Sequence, residues 1–386
     1  MNQPQDKNWW RRNWKWFLPV GCLGALVFFG GLIALMYLVF GIVKSSGGLS
    51  LFDYEQQQQA EAEARKADPQ WQPATEEVAV IQVGGKEEAG ELQNFCLDTN
   101  GDLLACWGNE EPGKNESARI ERFSPDGKLL KTWPLPSTPE AICVAPDGAI
   151  FVGGAGRILQ LDPKGKVLAS VASPAVAKTV DLDKAAMESD MGEKLSDKDL
   201  ASYKEDIQRR RLVVTGIAVS GDDLFVACPS VSDFSYSVYR LGRDLKNATL
   251  IVKGLQGCCG QMDIQARDGK LWIAHNGRHR VESYDREGKA LTGFGKSDRK
   301  AAAGFGGCCE PKNLRLGAGG NLYAAESGPP VAIKRFSPEG KFGGVVALPS
   351  FKSGCVRATV EVSADGKRFY IMDTEGNSIH VFAVKN

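Results

Sequence analysis

Histidine is scarce in this chain, with only His275, His279 and His380 in 386 residues. Catalytic signatures are missing as well. There is no C-x-x-C, C-x-x-C-H, H-E-x-x-H, Walker phosphate loop or G-x-S-x-G, so thioredoxin-like, c-type haem, zincin, NTPase and α/β-hydrolase chemistry lack the residues they need. A surplus of charge is also absent: Lys plus Arg and Asp plus Glu both number 47. No nucleic-acid partner is expected from such a balance, and no acidic solvating tail. Function must therefore come from local features.

One of these is at the start of the chain. Phe17 to Val43 is an apolar run without a single charge, longer than the roughly 20 residues that a membrane-spanning helix requires. Lys7, Arg11, Arg12 and Lys15 precede it, and Trp9, Trp10, Trp14 and Trp16 form an aromatic belt beside it. The positive-inside rule then predicts a cytoplasmic N-terminus over 1–16, a single transmembrane helix over 17–43, and an extracytoplasmic remainder. The run exceeds a signal-peptide core and no A-x-A-like site follows it. Residues 44–77 turn from Ser/Gly to Gln/Glu/Ala and read as a stalk, with a short helix capped by Asp53 and ending before Pro69.

From residue 78 to 386 the chain repeats. NFCLDTNGDLLAC (94–106), AICVAPDGAIFVG (141–153), GIAVSGDDLFVAC (216–228), MDIQARDGKLWIAH (262–275), NLRLGAGGNLYAAE (313–326) and VEVSADGKRFYIMD (360–373) each alternate apolar and polar residues around a Gly/Asp/Asn turn, the pattern of a β-hairpin. Leu103, Ile150, Leu224, Leu271, Leu322 and Phe369 mark equivalent positions, evenly spaced except for a charged insertion at 172–211. A second hairpin follows each of the first five, so each unit holds four strands. The sixth ends early, and VAVIQV (78–83) is free to complete it. Closing the ring in this way removes two exposed sheet edges. The expectation is an all-β, six-bladed β-propeller.

The segments DTEGNSIHVF (373–382) and HNGRHRVESY (275–284) resemble the D-x-x-N-x-R-I-x-V-F stretch of NHL-repeat propellers, and RIERFSPDGKLL and IKRFSPEGKF resemble the outer hairpin of that repeat. The resemblance spans 78–386 and implies the fold more than any chemistry. Related six-bladed lactonases and amidating lyases place acidic, Asn or His ligands around the channel. His380 falls in the third strand of its blade, which speaks against a lyase-like three-histidine zinc site.

Propeller topology assigns one mouth of the ring a set of unusual residues. Cys258 and Cys259 precede blade four, Cys308 and Cys309 precede blade five, and Cys355 holds the matching place before blade six. The ends of the second strands bring Cys228, His275, Glu326 and Asp373 to the same face, with Arg357, Lys312 and Asn313 close by. Three readings of the cysteines stay open. Each pair forms a vicinal disulfide, strained because neighbouring α-carbons are only about 3.8 Å apart; or Cys258, Cys259, Cys308, Cys309 and Cys355 bind a soft metal, zinc or copper, with His275; or they form inter-blade disulfides in an oxidising compartment. Elsewhere, Cys96 and Cys106 flank a hairpin turn and are candidates to pair across it, and Cys143 reads as a small buried apolar residue. In the insertion, Ser196 and Asp199 form a capping-box pattern ahead of a helix that ends at Arg211, open to three readings: a lid over this mouth, a docking surface, or a solvated excursion in keeping with its many charges.

Two functions follow as expectations. The first is a membrane-tethered scaffold that binds a protein or a small ligand through its cysteine-bearing face, more a binding module than an enzyme. The alternative is a redox or metal-dependent protein that uses the same groups.

Overall fold

A computed structural model describes residues 51–386 apart from 86–87, 110–116, 180–196, 231–232, 258–260, 352–353, 355 and 386. The apolar run 17–43 and Cys258, Cys259 and Cys355 lie outside the described residues. Among the described residues, no helix is long and apolar enough to cross a membrane.

Six four-stranded antiparallel sheets make up the fold. Blade one holds Glu91–Leu97, Leu103–Gly108, Arg119–Phe123 and Leu129–Pro134, and blade two holds Ala141–Val144, Ile150–Gly154, Arg157–Leu161 and Val167–Ala172. Blade three is built from Gly216–Ser220, Asp223–Pro229, Tyr236–Gly242 and Thr249–Leu255, and blade four from Ile264–Arg267, Lys270–His275, Arg280–Asp285 and Ala290–Phe294. Asn313–Leu316, Leu322–Glu326, Ala332–Phe336 and Phe342–Ala347 form blade five. Each innermost strand touches the next, and that of blade six touches that of blade one, so the ring is closed.

Blade six takes Val360–Val362, Arg368–Asp373 and Ser378–Val384 from the C-terminal end of the chain and Thr75–Gln82 from the other. The closing strand runs antiparallel from Thr75 opposite Val384 to Gln82 opposite Ser378. The expected closure is therefore present, and it begins at Thr75, a little before residue 78. Asn377 locks the join: its side-chain oxygen accepts from Leu92 N at 2.8 Å and its carbonyl accepts from Val83 N at 2.9 Å.

Alternation along the strands sets up the core, because inward residues of one blade meet those of the next. Cys96, Leu104, Cys106 and Ile120 of blade one pack on Ile142, Val152 and Leu159 of blade two, and Phe225, Val238 and Met262 lie against Ile264 and Leu271 at the next-but-one seam. Turns key into neighbouring blades. In the outer hairpin of blade two, Asp162 Oδ1 accepts from Lys164 N and Lys166 N at 2.9 Å each. Gly165 completes that turn at φ +83°, and a Cβ there would lie 2.1 Å from the Trp133 ring of blade one. Only glycine fits both the left-handed backbone and that contact.

Cys96 and Cys106 do not pair. Cys96 lies opposite Leu104 and Cys106 opposite Asn94, so the two are out of register, and both are buried free thiols. Cys143 is buried and free, as a small core residue would be.

A helix spans Leu51–Ala67 and ends before Pro69 as expected, but it begins ahead of Asp53, which is therefore no cap. Residues just beyond it are docked on blade five. Trp71 is 1% exposed and packs on Ala302, Ala332 and Val345. Its ring lies under the Arg65 guanidinium at 5.4 Å and the Lys334 ammonium at 4.6 Å.

Candidate functional site

The mouth defined by the blade-to-blade connections is built on the ends of the second strands. Cys228, His275, Glu326 and Asp373 lie opposite Ser237, Arg280, Ala332 and Ser378, one equivalent place in four successive blades. They share a face, yet each side chain is engaged within or beside its own blade.

Cys228 is fully buried in the core shared with blade two, under Ala175 and Val214, and burial pushes its thiol up to about 12. It is not available as a thiolate near neutral pH. His275 is 2% exposed. Its Nδ1 lies 2.8 Å from Glu282 Oε2 and its Nε2 accepts from Gln256 N at 2.9 Å. That backbone donor fixes the neutral tautomer with the proton on Nδ1, leaving no lone pair for a metal. Burial would raise Glu282, but hydrogen bonds from His275 and Tyr284 outweigh it and hold the carboxyl below its ordinary value. Glu326 accepts from Gly306 N at 2.9 Å and pairs with the fully buried Lys334 at 2.7 Å. Asp373 accepts from Gly376 N at 3.1 Å and faces His380 Nε2 at 3.9 Å. Arg357 donates to Gln93 of blade one. Among the described residues, no group of three or more His, Cys, Asp and Glu side chains is arranged to hold a metal ion.

The two cysteines described here differ from each other. Cys308 is an exposed free thiol, whereas Cys309 is 5% exposed and disulfide-bonded. Their sulfurs are 3.6 Å apart, so this pair is not a vicinal disulfide.

The loop that carries them is held on both sides. Glu310 Oε1 accepts from Ser327 N and Gly328 N at 2.9 Å each and lies 3.0 Å from Ser327 Oγ. Burial, reinforced by the charge of Glu326, drives the Glu310 carboxyl well above its usual range. Gly307 and Gly328 let the two loops meet: a Cβ on Gly328 would lie 2.9 Å from Gly307 Cα. Ser327 continues the chain of contacts to blade six, donating through Oγ to Gly354 O at 2.7 Å and accepting from Gly354 N at 2.8 Å. Gln261 spans from the connection before blade four to that before blade six, donating to Ala358 O at 2.9 Å and accepting from Ala358 N at 3.3 Å. These bonds strap the connections of blades four, five and six to one another.

Beneath the mouth lie two levels of the innermost strands. At the upper level stand Asn94, Ala141, Gly216, Asp263, Asn313 and Thr359. Asn313 donates to Asp263 at 2.9 Å and accepts from Val360 N at 3.0 Å, and Thr359 donates to Asn94 at 3.1 Å. The lower level carries Cys96, Cys143, Ala218, Gln265, Arg315 and Glu361. Arg315 bridges its two neighbours, reaching Gln265 at 3.1 Å and Glu361 at 2.6 Å. Burial pushes Asp263 up to about 6 and Glu361 up to about 7, each opposed by Arg315. Sequence reasoning singled out Asn313 but passed over Asp263, Arg315 and Glu361. Their signal was available, since they are charges at positions where blades two and three carry Ala, Gly or Cys.

The insertion reaches the same face. Its helix covers Asp197–Arg211, and Arg211 closes it onto Ala175 O at 2.9 Å and Val176 O at 3.2 Å. Tyr203 meets Phe234 edge-on at 6.1 Å, and Arg210 stacks over Phe234 at 4.6 Å.

No protein-family model matches the chain, and no curated protein matches it. Solved structures do. The WD40 domain of Pan2 from Neurospora crassa is 8% identical with a TM-score of 0.50, covering 82% of this chain and 98% of that one. A virginiamycin B lyase from Staphylococcus aureus is 15% identical at TM-score 0.46, with 80% of this chain and 99% of that chain covered. A gluconolactonase from Xanthomonas campestris is 12% identical at 0.48, with 81% and 99% covered. At such identities the likeness is one of fold, and the sheet topology of this chain makes it a six-bladed β-propeller in its own right.

Proposed function

We propose that this chain is an NHL-type propeller, tethered to a membrane by residues 17–43, that binds a protein or small ligand at the extracytoplasmic mouth formed by blades four to six. The observation that supports a binding role is the mutual engagement of the mouth's polar groups: Glu326 with Lys334, His275 with Glu282 and Gln256, Arg357 with Gln93, Gln261 with Ala358. Groups that hold one another and strap connections together make a preorganised platform, which lowers the cost of binding. A photo-crosslinking side chain at Asp373, on the mouth, is compared in intact cells with one at Asp126, in a turn at the opposite end of the strands. Crosslinked species from Asp373 and none from Asp126 are expected. Adducts from Asp126 alone would overturn the assignment of the binding face.

The redox alternative retains one specific support, the exposed Cys308 thiol beside the bonded Cys309.

A further inference from the structure

We propose that residues 65–74 are a clamp on the mouth: docked on blade five they fix both connections at that blade's mouth, and whatever steadies those connections in turn favours docking. The clamp regulates the binding face proposed above and rests on that reading for its purpose, whereas the coupling itself is measured without a ligand.

The segment grips each connection separately. Trp71 packs on Ala302 and donates through Nε1 to Lys300 O at 3.3 Å, which holds the connection entering blade five. Arg65, stacked over the Trp71 ring at 5.4 Å, donates to Pro329 O at 2.7 Å and so holds the connection between the second and third strands. Lys334 carries the contact inward. Its ammonium lies 4.6 Å from the Trp71 ring, pairs with Glu326 at 2.7 Å and donates to Gly304 O, and Glu326 accepts from Gly306 N at 2.9 Å. Glu310 then joins the two connections by accepting from Ser327 N and Gly328 N, and Ser327 passes the linkage to Gly354 ahead of blade six.

The segment is built to leave as a unit. Trp71, Ala302, Ala332 and Val345 form a cluster of their own, apart from the seams between blades. Asp68 ties the turn to itself, accepting from Gln70 N at 2.8 Å through its side chain and from Trp71 N at 2.9 Å through its carbonyl. The closing strand pairs with Ser378–Val384 from Thr75 onward, so release of everything up to Ala74 leaves the ring closed. An element with a docked and a released state that touches both connections is the physical requirement for coupling, and the coupling is reciprocal. Residues 1–61 join the propeller through this segment, so tension along the chain, or a partner that captures Trp71, acts on the mouth.

Hydrogen exchange of the full chain in detergent, read by mass spectrometry, tests both directions. Trp71→Ala should speed exchange in 300–310 and in 327–331 by about fivefold, the change that loss of one ordinary hydrogen bond allows, and leave 141–154 of blade two unchanged. The milder Arg65→Ala should speed exchange in 327–331. In the reverse direction, Glu310→Ala at the mouth should speed exchange in 68–74. The proposal is overturned if either connection ignores Trp71→Ala, if blade two responds equally, if Arg65→Ala leaves 327–331 unchanged, or if 68–74 ignores Glu310→Ala. Should Trp71→Ala not fold, the other two variants decide. With no ligand in the experiment, unchanged exchange removes the clamp and leaves the binding face standing, while a failed crosslink at Asp373 does the opposite.

Discussion

Lys334→Met tests the arrangement that ties the N-terminal segment, blade five and the mouth together. Lys334 is fully buried, 2.7 Å from Glu326 Oε2, and lies over the rings of Trp71 at 4.6 Å and Phe305 at 5.7 Å. Methionine keeps most of the volume and removes the charge. Glu326, itself buried, would then hold a carboxylate without its ion-pair partner, which costs about 3–5 kcal/mol. Loss of the cation–π contacts adds about 0.5–2 kcal/mol. Against a typical domain stability of about 5–15 kcal/mol, the loss is large enough to measure by denaturant titration of the full chain in detergent, as a lower midpoint at constant slope. The double variant Lys334→Met/Glu326→Gln has no stranded charge and should recover at least about 2 kcal/mol relative to the sum of the single changes. Should Lys334→Met unfold within about 0.5 kcal/mol of the parent, or the two changes simply add, the pair is not the buried and coupled unit described.

Three further perturbations bear on other parts of the fold. Trp71→Ala should cost about 3–5 kcal/mol, as for other buried aromatic truncations, and expose Lys300 and the residues before it to proteolysis; unchanged cleavage would mean that the segment is not held by Trp71. Asp263 and Glu361 have folded-state values raised to about 6 and 7 above unfolded values near 4, so the folded protein binds more protons between those limits. Stability should therefore fall as pH rises from about 4 to about 7, and the double variant Asp263→Asn/Glu361→Gln should show a shallower fall in melting temperature; an identical pH profile would refute those shifts. Deleting residues 75–82 should leave the Ser378–Val384 edge unpaired and the protein prone to aggregate, and a soluble, equally heat-stable deletion would disprove the closure.

The ring was legible in the sequence because its information is local. Alternation of period two, Gly/Asp turns and an incomplete sixth unit define blades, and the closing strand follows from the count. What escaped depends on distant contacts. Trp71 stands in a polar segment that reads as a stalk, and only burial against Ala302, Ala332 and Val345 makes it part of the propeller. Lys334, in AIKRF, resembles the outward-facing charge of any outer hairpin, and it is buried because Trp71 and Phe305 lie against it. Cys96 and Cys106 looked like a pair because they flank a turn. In the register actually formed they lie on different rungs, which alternation alone does not reveal.

Equivalent places in a propeller start from the same backbone geometry, so differences between blades show where a symmetric fold has been specialised. At the two inner levels, blades two and three carry Ala141, Cys143, Gly216 and Ala218, while blades four to six carry Asp263, Gln265, Asn313, Arg315, Thr359 and Glu361. The connections strapped together above them, through Gln261, Ser327 and Glu310, belong to blades four to six as well. Buried polar groups cost stability unless each finds a partner, and a ring needs none of them to close, since blades two and three pack with small residues at the same levels. Their concentration in three adjacent blades, joined at the upper level by Asn94 of blade one, therefore locates the specialised part of the molecule on that side of the ring, which also holds the closing blade.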